Sequence, residues 1–209
     1  MNNKKEGLFW SLEGGEGAGK GMLIKKIIKF LTENNIEFVS TREPGGTDVA
    51  EKIREIIVHE EIDGITEALL FASARRHHVE NLIKPAINKG KLVLCDRFID
   101  SSLVYQGYGR GLGVDTVWEI NKFAIGDFLP DKTIYLDIAP EVGLKRISDN
   151  NRETNRLDLE GLDFYNKNRQ GYLDLANKYP ERFVVINADQ TPDEVFNELK
   201  EKLLNDLIK

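Results

Sequence analysis

Hydrophobic positions along the chain follow two alternating periods. Five short runs have the composition of β-strands, at about residues 8–12, 37–41, 91–95, 132–137 and 182–187. Two of these runs contain continuous apolar stretches, which are typical of strands that are covered on both faces. Between the runs, apolar residues recur at helical spacing, as they do over 23–31 and in a last predicted helix over 191–208. This alternation predicts an α/β fold, with a five-stranded parallel sheet, right-handed crossovers and helices on both faces.

Length and composition indicate one globular domain. The chain has 209 residues, so we expect a single domain over 1–209. No apolar run approaches the roughly 18 residues of a membrane span, and no signal peptide precedes the first predicted strand. The one cysteine, Cys95, lies in an apolar run and is predicted to be a buried free thiol. We therefore expect a cytoplasmic protein with no membrane partner.

The formal net charge is −6. Broad contact with a nucleic-acid backbone requires a positive surface, so no nucleic-acid partner is expected. A small anionic ligand is still compatible with this charge, because a few arginines can act together in one cleft. The histidines His59, His77 and His78 lack partners at metal-ligand spacing and are predicted to be surface or salt-bridged residues.

A glycine-rich segment follows the first predicted strand. Residues 14–20 match the pattern Gly-x-x-x-x-Gly-Lys, and a predicted helix begins at its end. In such a turn the backbone N–H groups surround a phosphate chain, and the lysine neutralises the β- and γ-phosphates. The residues predicted to bind these phosphates are Gly14, Gly15, Glu16, Gly17, Ala18, Gly19, Lys20, Gly21 and Met22.

The last position of this motif departs from its rule. A serine or threonine there normally binds Mg²⁺ directly, whereas this chain has Gly21. The departure argues against a switch GTPase, and residues 121–124 also fail the Asn-Lys-x-Asp pattern that reads guanine. Adenylate kinases likewise have a glycine at this position. We still expect Mg²⁺ to accompany the nucleotide, held with the help of Asp96, a carboxylate that directly follows the third predicted strand.

Four later segments follow in a recognisable order. Residues 41–47 read Thr-Arg-Glu-Pro-Gly-Gly-Thr, and residues 69–75 read Leu-Leu-Phe-Ala-Ser-Ala-Arg. Asp-Arg-Phe at 96–98 precedes Ser-Ser-Leu-Val-Tyr-Gln-Gly at 101–107, and Asn-Arg-Glu-Thr-Asn-Arg follows at 151–156. In this order and spacing, from about residue 8 to residue 190, the chain resembles bacterial thymidylate kinases, which are P-loop nucleoside monophosphate kinases. The resemblance implies a P-loop kinase fold with a short lid over about 149–158.

The resemblance also implies a site for dTMP, the phosphoryl acceptor. Phe71 would stack on thymine and Arg75 would donate to its O4, and their spacing of four residues puts both on one helix face. Arg42 and Arg97 follow predicted strand ends and would bind the α-phosphate, for which a planar guanidinium is well suited. The other residues implied for this site are Glu16 near the 3′-hydroxyl and the metal, Pro44 in the base-side loop, Tyr105 against the 2′ position, and Ser102 and Gln106 in the base pocket.

The phosphoryl donor, ATP, would occupy the first loop. The resemblance puts Arg146 beside the adenine, with the turn 187–192 as the opposite wall. The migrating phosphoryl group needs surrounding positive charge, and the variable positions of the first loop carry none. Arg152 and Arg156 of the lid are expected to supply it. The implied catalytic residues are Lys20, Asp96, Arg97, Arg152 and Arg156.

The implied reaction transfers the γ-phosphoryl group of ATP to dTMP, giving dTDP and ADP for dTTP synthesis. Mg²⁺ is the implied cofactor and a homodimer is the implied assembly. Two alternatives stay open. One is a kinase for a different pyrimidine nucleoside monophosphate. The other is a non-catalytic nucleotide-binding regulator, which only the unusual Gly21 and Met22 suggest.

Overall fold

Five parallel strands form the centre of the molecule. The computed structural model describes residues 7–149 and 161–208. Its strands are β1 (Leu8–Gly14), β2 (Phe38–Arg42), β3 (Leu92–Asp96), β4 (Lys132–Asp137) and β5 (Phe183–Asn187). Their order across the sheet is β2-β3-β1-β4-β5, and every neighbouring pair is parallel. The predicted sheet is confirmed, and each strand boundary lies within two residues of its prediction.

Helices connect the strands. They are α1 (Lys20–Glu33), α2 (Asp48–His59), α3 (Gly64–His78), α4 (Lys84–Asn88), α5 (Ile99–Ser102), α6 (Val114–Ile125), α7 (Pro140–Asp149), α8 (Leu162–Lys178) and α9 (Pro192–Lys202). Wider π-helical turns at Val79–Ile83 and Leu103–Gly109 continue α3 and α5. Across residues 7–149 and 161–208, the helices lack the length and apolar character that crossing a bilayer requires.

The prediction of one last helix over 191–208 is wrong. Helix α9 ends at Lys202, because Leu203 leaves helical geometry with φ of −144°, and a 3-10 turn follows at Leu204–Leu207. The apolar spacing continued through this break because Leu203 and Leu204 are both buried. Periodicity alone could not distinguish a helix from a helix followed by a tighter turn.

Alternating side chains of the strands build two cores, one on each face of the sheet. On β3, Val93 and Cys95 pack with α6 and α8, whereas Leu92 and Leu94 pack with α1 and α9. Alternation of this kind follows from the two-residue period of a strand. Because both faces are covered, apolar residues occupy consecutive positions, as the continuous apolar run predicted. Cys95 is the buried free thiol that was expected.

Strand register brings the ends of three strands together. Leu12 of β1 and Arg42 of β2 are both paired with Asp96, the last residue of β3. Gly14, at the end of β1, is paired with Leu136 of β4. In open α/β sheets, ligands bind beyond the carboxyl ends of the strands, so a ligand site is expected at this edge.

A buried carboxylate joins this edge to the helix layer. Glu13 of β1 is fully buried and accepts hydrogen bonds from the Phe98 backbone N–H at 2.7 Å and the Tyr172 hydroxyl at 2.9 Å. The Ser101 hydroxyl donates to its second oxygen at 2.5 Å. Burial, reinforced by the nearby charge of Asp100, raises the pKa of Glu13 to about 7. Burial therefore outweighs the hydrogen bonds that favour the ionised form.

This raised pKa predicts how stability depends on pH. Between the ordinary value of 4.5 and the folded value of about 7, the folded state holds the Glu13 proton more tightly than the unfolded chain does. The Glu13 contribution to the free energy of unfolding should therefore fall as pH rises from about 4.5 to 7. The isosteric substitution Glu13→Gln cannot ionise, so it should flatten that part of the profile in urea unfolding measured from pH 5 to pH 8.

The control is Glu201→Gln, at an exposed position on α9. It should keep the slope of the unmodified chain. A Glu13→Gln profile that runs parallel to the unmodified one would show that Glu13 does not titrate in this range.

Candidate active site

Two clefts open at the carboxyl edge of the sheet, and they share three charged residues. The first, which we call the base cleft, is lined by residues from β2, α2, α3 and the segment after β3. The second, the loop cleft, is lined by residues 16–22 together with parts of α7 and the segment after β5. Glu16, Lys20 and Asp96 line both clefts. Two ligands bound in the two clefts would therefore meet at these side chains.

The base cleft brings together every acceptor-site residue that the sequence predicted. These are Glu16, Arg42, Pro44, Phe71, Arg75, Arg97, Ser102, Tyr105 and Gln106. They come from four separate stretches of the chain, so their convergence is a property of the fold and not of local sequence. The weakest of the predictions, Ser102 and Gln106, are buried and each has only 2% of its surface exposed.

The glycine loop packs closely against α7. Gly17 adopts a φ of 72°, and a Cβ there would lie only 2.0 Å from the Gly143 carbonyl oxygen of α7. Helix α1 then begins at Lys20, and Gly19 provides no side-chain cap for its first turn. The N–H groups of an uncapped first turn are ready donors for a phosphate.

Lys20, the first residue of α1, is the cation of this loop. Its Nζ donates to the carbonyl oxygens of Gly14 at 3.0 Å and Gly15 at 3.5 Å. Burial lowers the pKa of Lys20, and the positive charge of Arg97 lowers it further. A polyanion bound beside Lys20 would oppose both effects, because it stabilises the charged ammonium.

Arg97 connects the loop to the acceptor side. It is one of two non-glycine residues with positive φ in the described part of the chain, at 67°. Its guanidinium donates to Glu16 at 2.8 Å and to Ser101 at 3.2 Å, and it lies 4.9 Å from the centre of the Tyr105 ring. Such a backbone conformation costs about 1–3 kcal/mol and persists where neighbours hold it. The hydrogen bond from the Phe98 N–H to Glu13 is one such restraint.

Arg75 is held rigidly at the base end of the cleft. Its Nε donates to Glu43 at 2.7 Å, its Nη2 donates to the Phe98 carbonyl oxygen at 3.1 Å, and its Nη1 donates to Ser102 at 3.0 Å and to Asn121. A guanidinium has five N–H donors. Within the described part of the chain these contacts use four of them, which leaves one Nη2 N–H for a ligand. Phe71, one turn earlier on α3, is half-buried and lines the same cleft.

Several residues of the site were missed by sequence reasoning. Glu43 belongs to the Arg-Glu-Pro-Gly-Gly segment, and it also accepts a hydrogen bond from the buried His78 at 3.0 Å. Arg54 of α2 lines the base cleft and donates to the Pro44 carbonyl oxygen at 3.0 Å. Burial, and then the charge of Arg42, lower the pKa of Arg54. Asn121 lies on α6, and its only signal in the sequence was the start of a guanine-reading pattern that residues 121–124 fail.

Asp96 has the character of a metal ligand. Its Oδ1 is buried and has no hydrogen-bond partner among the described residues. Those residues contain no group of three or more histidine, cysteine or carboxylate side chains arranged to hold a metal. Such a site fits Mg²⁺, which is usually bound by one or two carboxylates together with phosphates and water. The carboxylate of Glu16, by contrast, is already paired with Arg97.

Arg146 lies at the far end of the loop cleft. From α7 it donates to the Ala188 carbonyl oxygen at 2.9 Å and approaches Asp189 at 3.5 Å. It therefore contacts the same turn, 187–192, that was predicted to face it across an adenine. Arg152 and Arg156, with most of the predicted lid, lie outside the described residues.

Comparison with known proteins gives one consistent family. The family model described as thymidylate kinase matches residues 12–199. A thymidylate kinase from Clostridium novyi is 57% identical over 199 residues, which cover 93% of this chain and 97% of the relative. A thymidylate kinase from Geobacillus sp. (strain WCH70) is 54% identical over 195 residues, covering 91% of this chain and 93% of the relative.

A solved structure agrees with these sequences. The crystal structure of a thymidylate kinase from Ehrlichia chaffeensis is 33% identical, with a TM-score of 0.75, and the match covers 94% of this chain and 98% of that one. Identity, coverage and three-dimensional similarity all point to the same group. The chain belongs to the thymidylate kinase family.

Proposed function

We propose that this chain transfers the γ-phosphoryl group of ATP to dTMP, giving dTDP and ADP for dTTP synthesis. The observation that carries the proposal is the pair of clefts that meet at Glu16, Lys20 and Asp96. One cleft has a phosphate-binding loop, and the other has an aromatic ring and a fixed guanidinium four residues apart on α3. Phosphoryl transfer requires chiefly that two phosphates be aligned and their charge neutralised, which this arrangement provides.

On the donor side, residues 14–22 hold the phosphates of ATP, and Lys20 neutralises the β- and γ-phosphates. Adenine lies at the end of the loop cleft that Arg146 and the turn 187–192 line together. Asp96 would hold Mg²⁺. When bound, Mg²⁺ would supply charge neutralisation for the donor phosphates.

On the acceptor side, Arg42, Arg54 and Arg97 bind the dTMP phosphate. Phe71 stacks on thymine, Arg75 donates to its O4, and Tyr105 fills the space that a 2′-hydroxyl would need. Glu16 now accepts from Arg97. An acceptor phosphate would compete for that guanidinium, and Glu16 would lie near the 3′-hydroxyl and the metal.

Arg152 and Arg156 complete the proposal as the lid residues that stabilise the migrating phosphoryl group. Its charge spreads over three equatorial oxygens in the transition state, and Lys20 alone covers only one side. We also place the protein in the cytoplasm, where ATP and a reduced Cys95 thiol coexist.

The direct test is an ADP-release assay with ATP, Mg²⁺ and a panel of monophosphates: dTMP, dUMP, dCMP, UMP and dAMP. We expect the highest kcat/KM with dTMP. A higher value with another pyrimidine would favour the first alternative. Tight ATP binding without turnover of any of the five would favour a non-catalytic regulator and contradict the proposal.

Replacing Phe71 by alanine removes the stacking surface. Base–aromatic stacking contributes about 1–3 kcal/mol, so the KM for dTMP should rise about tenfold or more while the KM for ATP stays unchanged. The matched control is Phe196→Ala, which removes another half-buried ring, on α9, that does not line the base cleft. A folded Phe71→Ala variant with an unchanged dTMP KM would remove Phe71 from the site.

Restoring a hydroxyl at position 21 should lower the Mg²⁺ requirement. A Cβ built on Gly21 meets no atom within 4 Å, so the loop accepts a side chain there. We expect Gly21→Ser to reach half-maximal rate at a lower Mg²⁺ concentration than the unmodified chain. Gly21→Ala also replaces the glycine by a residue with a Cβ but adds no hydroxyl, so it should not lower the Mg²⁺ requirement. Three coincident Mg²⁺ titration curves would show that the missing ligand was never limiting.

The proposed homodimer uses an apolar face on α3 and α6. Leu69 is 52% exposed and Phe123 is 95% exposed, and both line one groove that also includes Val49 of α2. Clustered exposed apolar residues of this kind mark interaction surfaces. We expect light scattering to show a dimer for the unmodified chain and a monomer for Phe123→Glu. Ile208→Glu, at a 50% exposed position that does not line this groove, should remain dimeric. A monomeric unmodified chain would contradict the dimer.

A further inference from the structure

The amide of Gln106 can present either of two opposite groups to the base cleft. One end of a glutamine amide accepts hydrogen bonds and the other end donates them. Gln106 lies in the π-helical turn Leu103–Gly109, is buried, and lines the base cleft beside Arg75 and Ser102. Which end faces the ligand decides which pyrimidine edge it can bind.

Glu67 fixes the orientation of the Gln106 amide. Its carboxylate, only 1% exposed, lies 2.9 Å from the Gln106 Nε2. A carboxylate only accepts hydrogen bonds, so the amide nitrogen must be the end that faces it. With the opposite orientation, two acceptor oxygens would meet in a buried space. Arg110 approaches the same Glu67 oxygen at 3.5 Å and provides a countercharge.

The other end of the amide, the Oε1, therefore points away from Glu67. The Oε1 of Gln106 is buried and has no donor among the described residues. A buried acceptor without a donor is unfavourable, and a ligand that brings an N–H relieves the cost. Glu67 itself is not among the described residues that line the base cleft, so any effect on the ligand passes through Gln106.

Together, Gln106 and Arg75 define a donor–acceptor pattern. Gln106 has an acceptor oxygen. Arg75 has one Nη2 N–H that its four contacts among the described residues do not use. The ring of thymine or uracil has an N3–H donor beside a C4 carbonyl acceptor, which complements this pair. Cytosine has the reverse arrangement, an N3 acceptor beside a C4 amino donor, and mismatches both groups.

We propose that Glu67 is a positioning residue that fixes the Gln106 amide and thereby selects pyrimidines with an N3–H and a C4 carbonyl over cytosine. This inference rests on the proposed function of the base cleft. It adds a residue that contacts no substrate. Glu67, Phe71 and Arg75 follow each other at intervals of four residues on α3, so a single helix face carries the stacking ring, the guanidinium and the group that orients the third contact.

The test substitutes Glu67→Gln, which keeps the shape of the side chain but can both donate and accept. The Gln106 amide is then free to turn. We expect the KM for dTMP to rise about fivefold or more, with kcat and the KM for ATP nearly unchanged. The ratio of kcat/KM for dTMP to that for dCMP should fall by about tenfold. Glu67→Asp keeps the acceptor-only chemistry and should retain the ratio better than Glu67→Gln does.

The control is Glu55→Gln, an exposed position on α2, which should change neither quantity. A double-mutant cycle with Gln106→Ala distinguishes a positioning role of Glu67 from a general loss of structure. If Glu67 acts through Gln106, Glu67→Gln adds no further rise in dTMP KM to a Gln106→Ala chain. Full additivity of the two substitutions would overturn the proposal, as would an unchanged dTMP-to-dCMP ratio in a folded Glu67→Gln chain.

The unmodified chain provides a further measurement that does not depend on the folding of variants. N3-methyl-dTMP has a methyl group in place of the N3–H donor and should be used far less well than dTMP. Equal use of the two would overturn the proposal. Absence of turnover with dTMP itself would instead contradict the proposed function, so the two failures are distinguishable.

Discussion

The backbone register between β1 and its neighbour β3 fixes the position of both clefts. It places Leu12 opposite Asp96, and the adjoining ladder places Arg42 opposite the same residue. A slip of one residue would exchange the two faces of a strand and send Val93 and Cys95 to the wrong core. Because both cores are filled from alternate positions of β3, the register is strongly specified. The glycine loop, Asp96 and Arg97 therefore lie together at the carboxyl edge of the sheet.

Buried charges fix the side chains that the register brings close. Arg75 is held by Glu43, Ser102 and Asn121, and Glu43 in turn accepts from His78. A buried ion pair contributes little net stability, since desolvation offsets most of the attraction. Its value here is geometric, because a guanidinium with four of its donors engaged cannot adopt other rotamers. A functional group held in this way needs no rearrangement when a ligand arrives.

Local patterns predicted the strands and the residues at their ends, because strand period and strand-end position are properties of short segments. The pair Phe71 and Arg75 could be predicted from sequence for the same reason, since a spacing of four residues defines one helix face. The roles of Arg54, Glu67 and Asn121 could not be predicted in this way. Each matters through a partner that is distant in sequence, such as Gln106 for Glu67, thirty-nine residues away. Their roles depend on how α2, α3 and α6 pack, which no local pattern encodes. The end of α9 was missed because burial continues past Lys202 while the helix does not.

The ion pair between Glu16 and Arg97 links the two clefts. Glu16 belongs to the glycine loop and Arg97 to the acceptor side, and they are joined at 2.8 Å. Arg97 also lowers the pKa of Lys20, while Glu16 and Asp96 oppose that effect. An anion that draws Arg97 away from Glu16 would therefore remove one of the interactions of this carboxylate, which lines both clefts with Lys20 and Asp96. Acceptor binding would strengthen the local negative charge where the donor phosphates and their cation must be held. In the proposed reaction, where position 21 has no hydroxyl, Glu16 would be a second protein oxygen ligand for Mg²⁺ beside Asp96, and acceptor binding would favour that role by competing for Arg97.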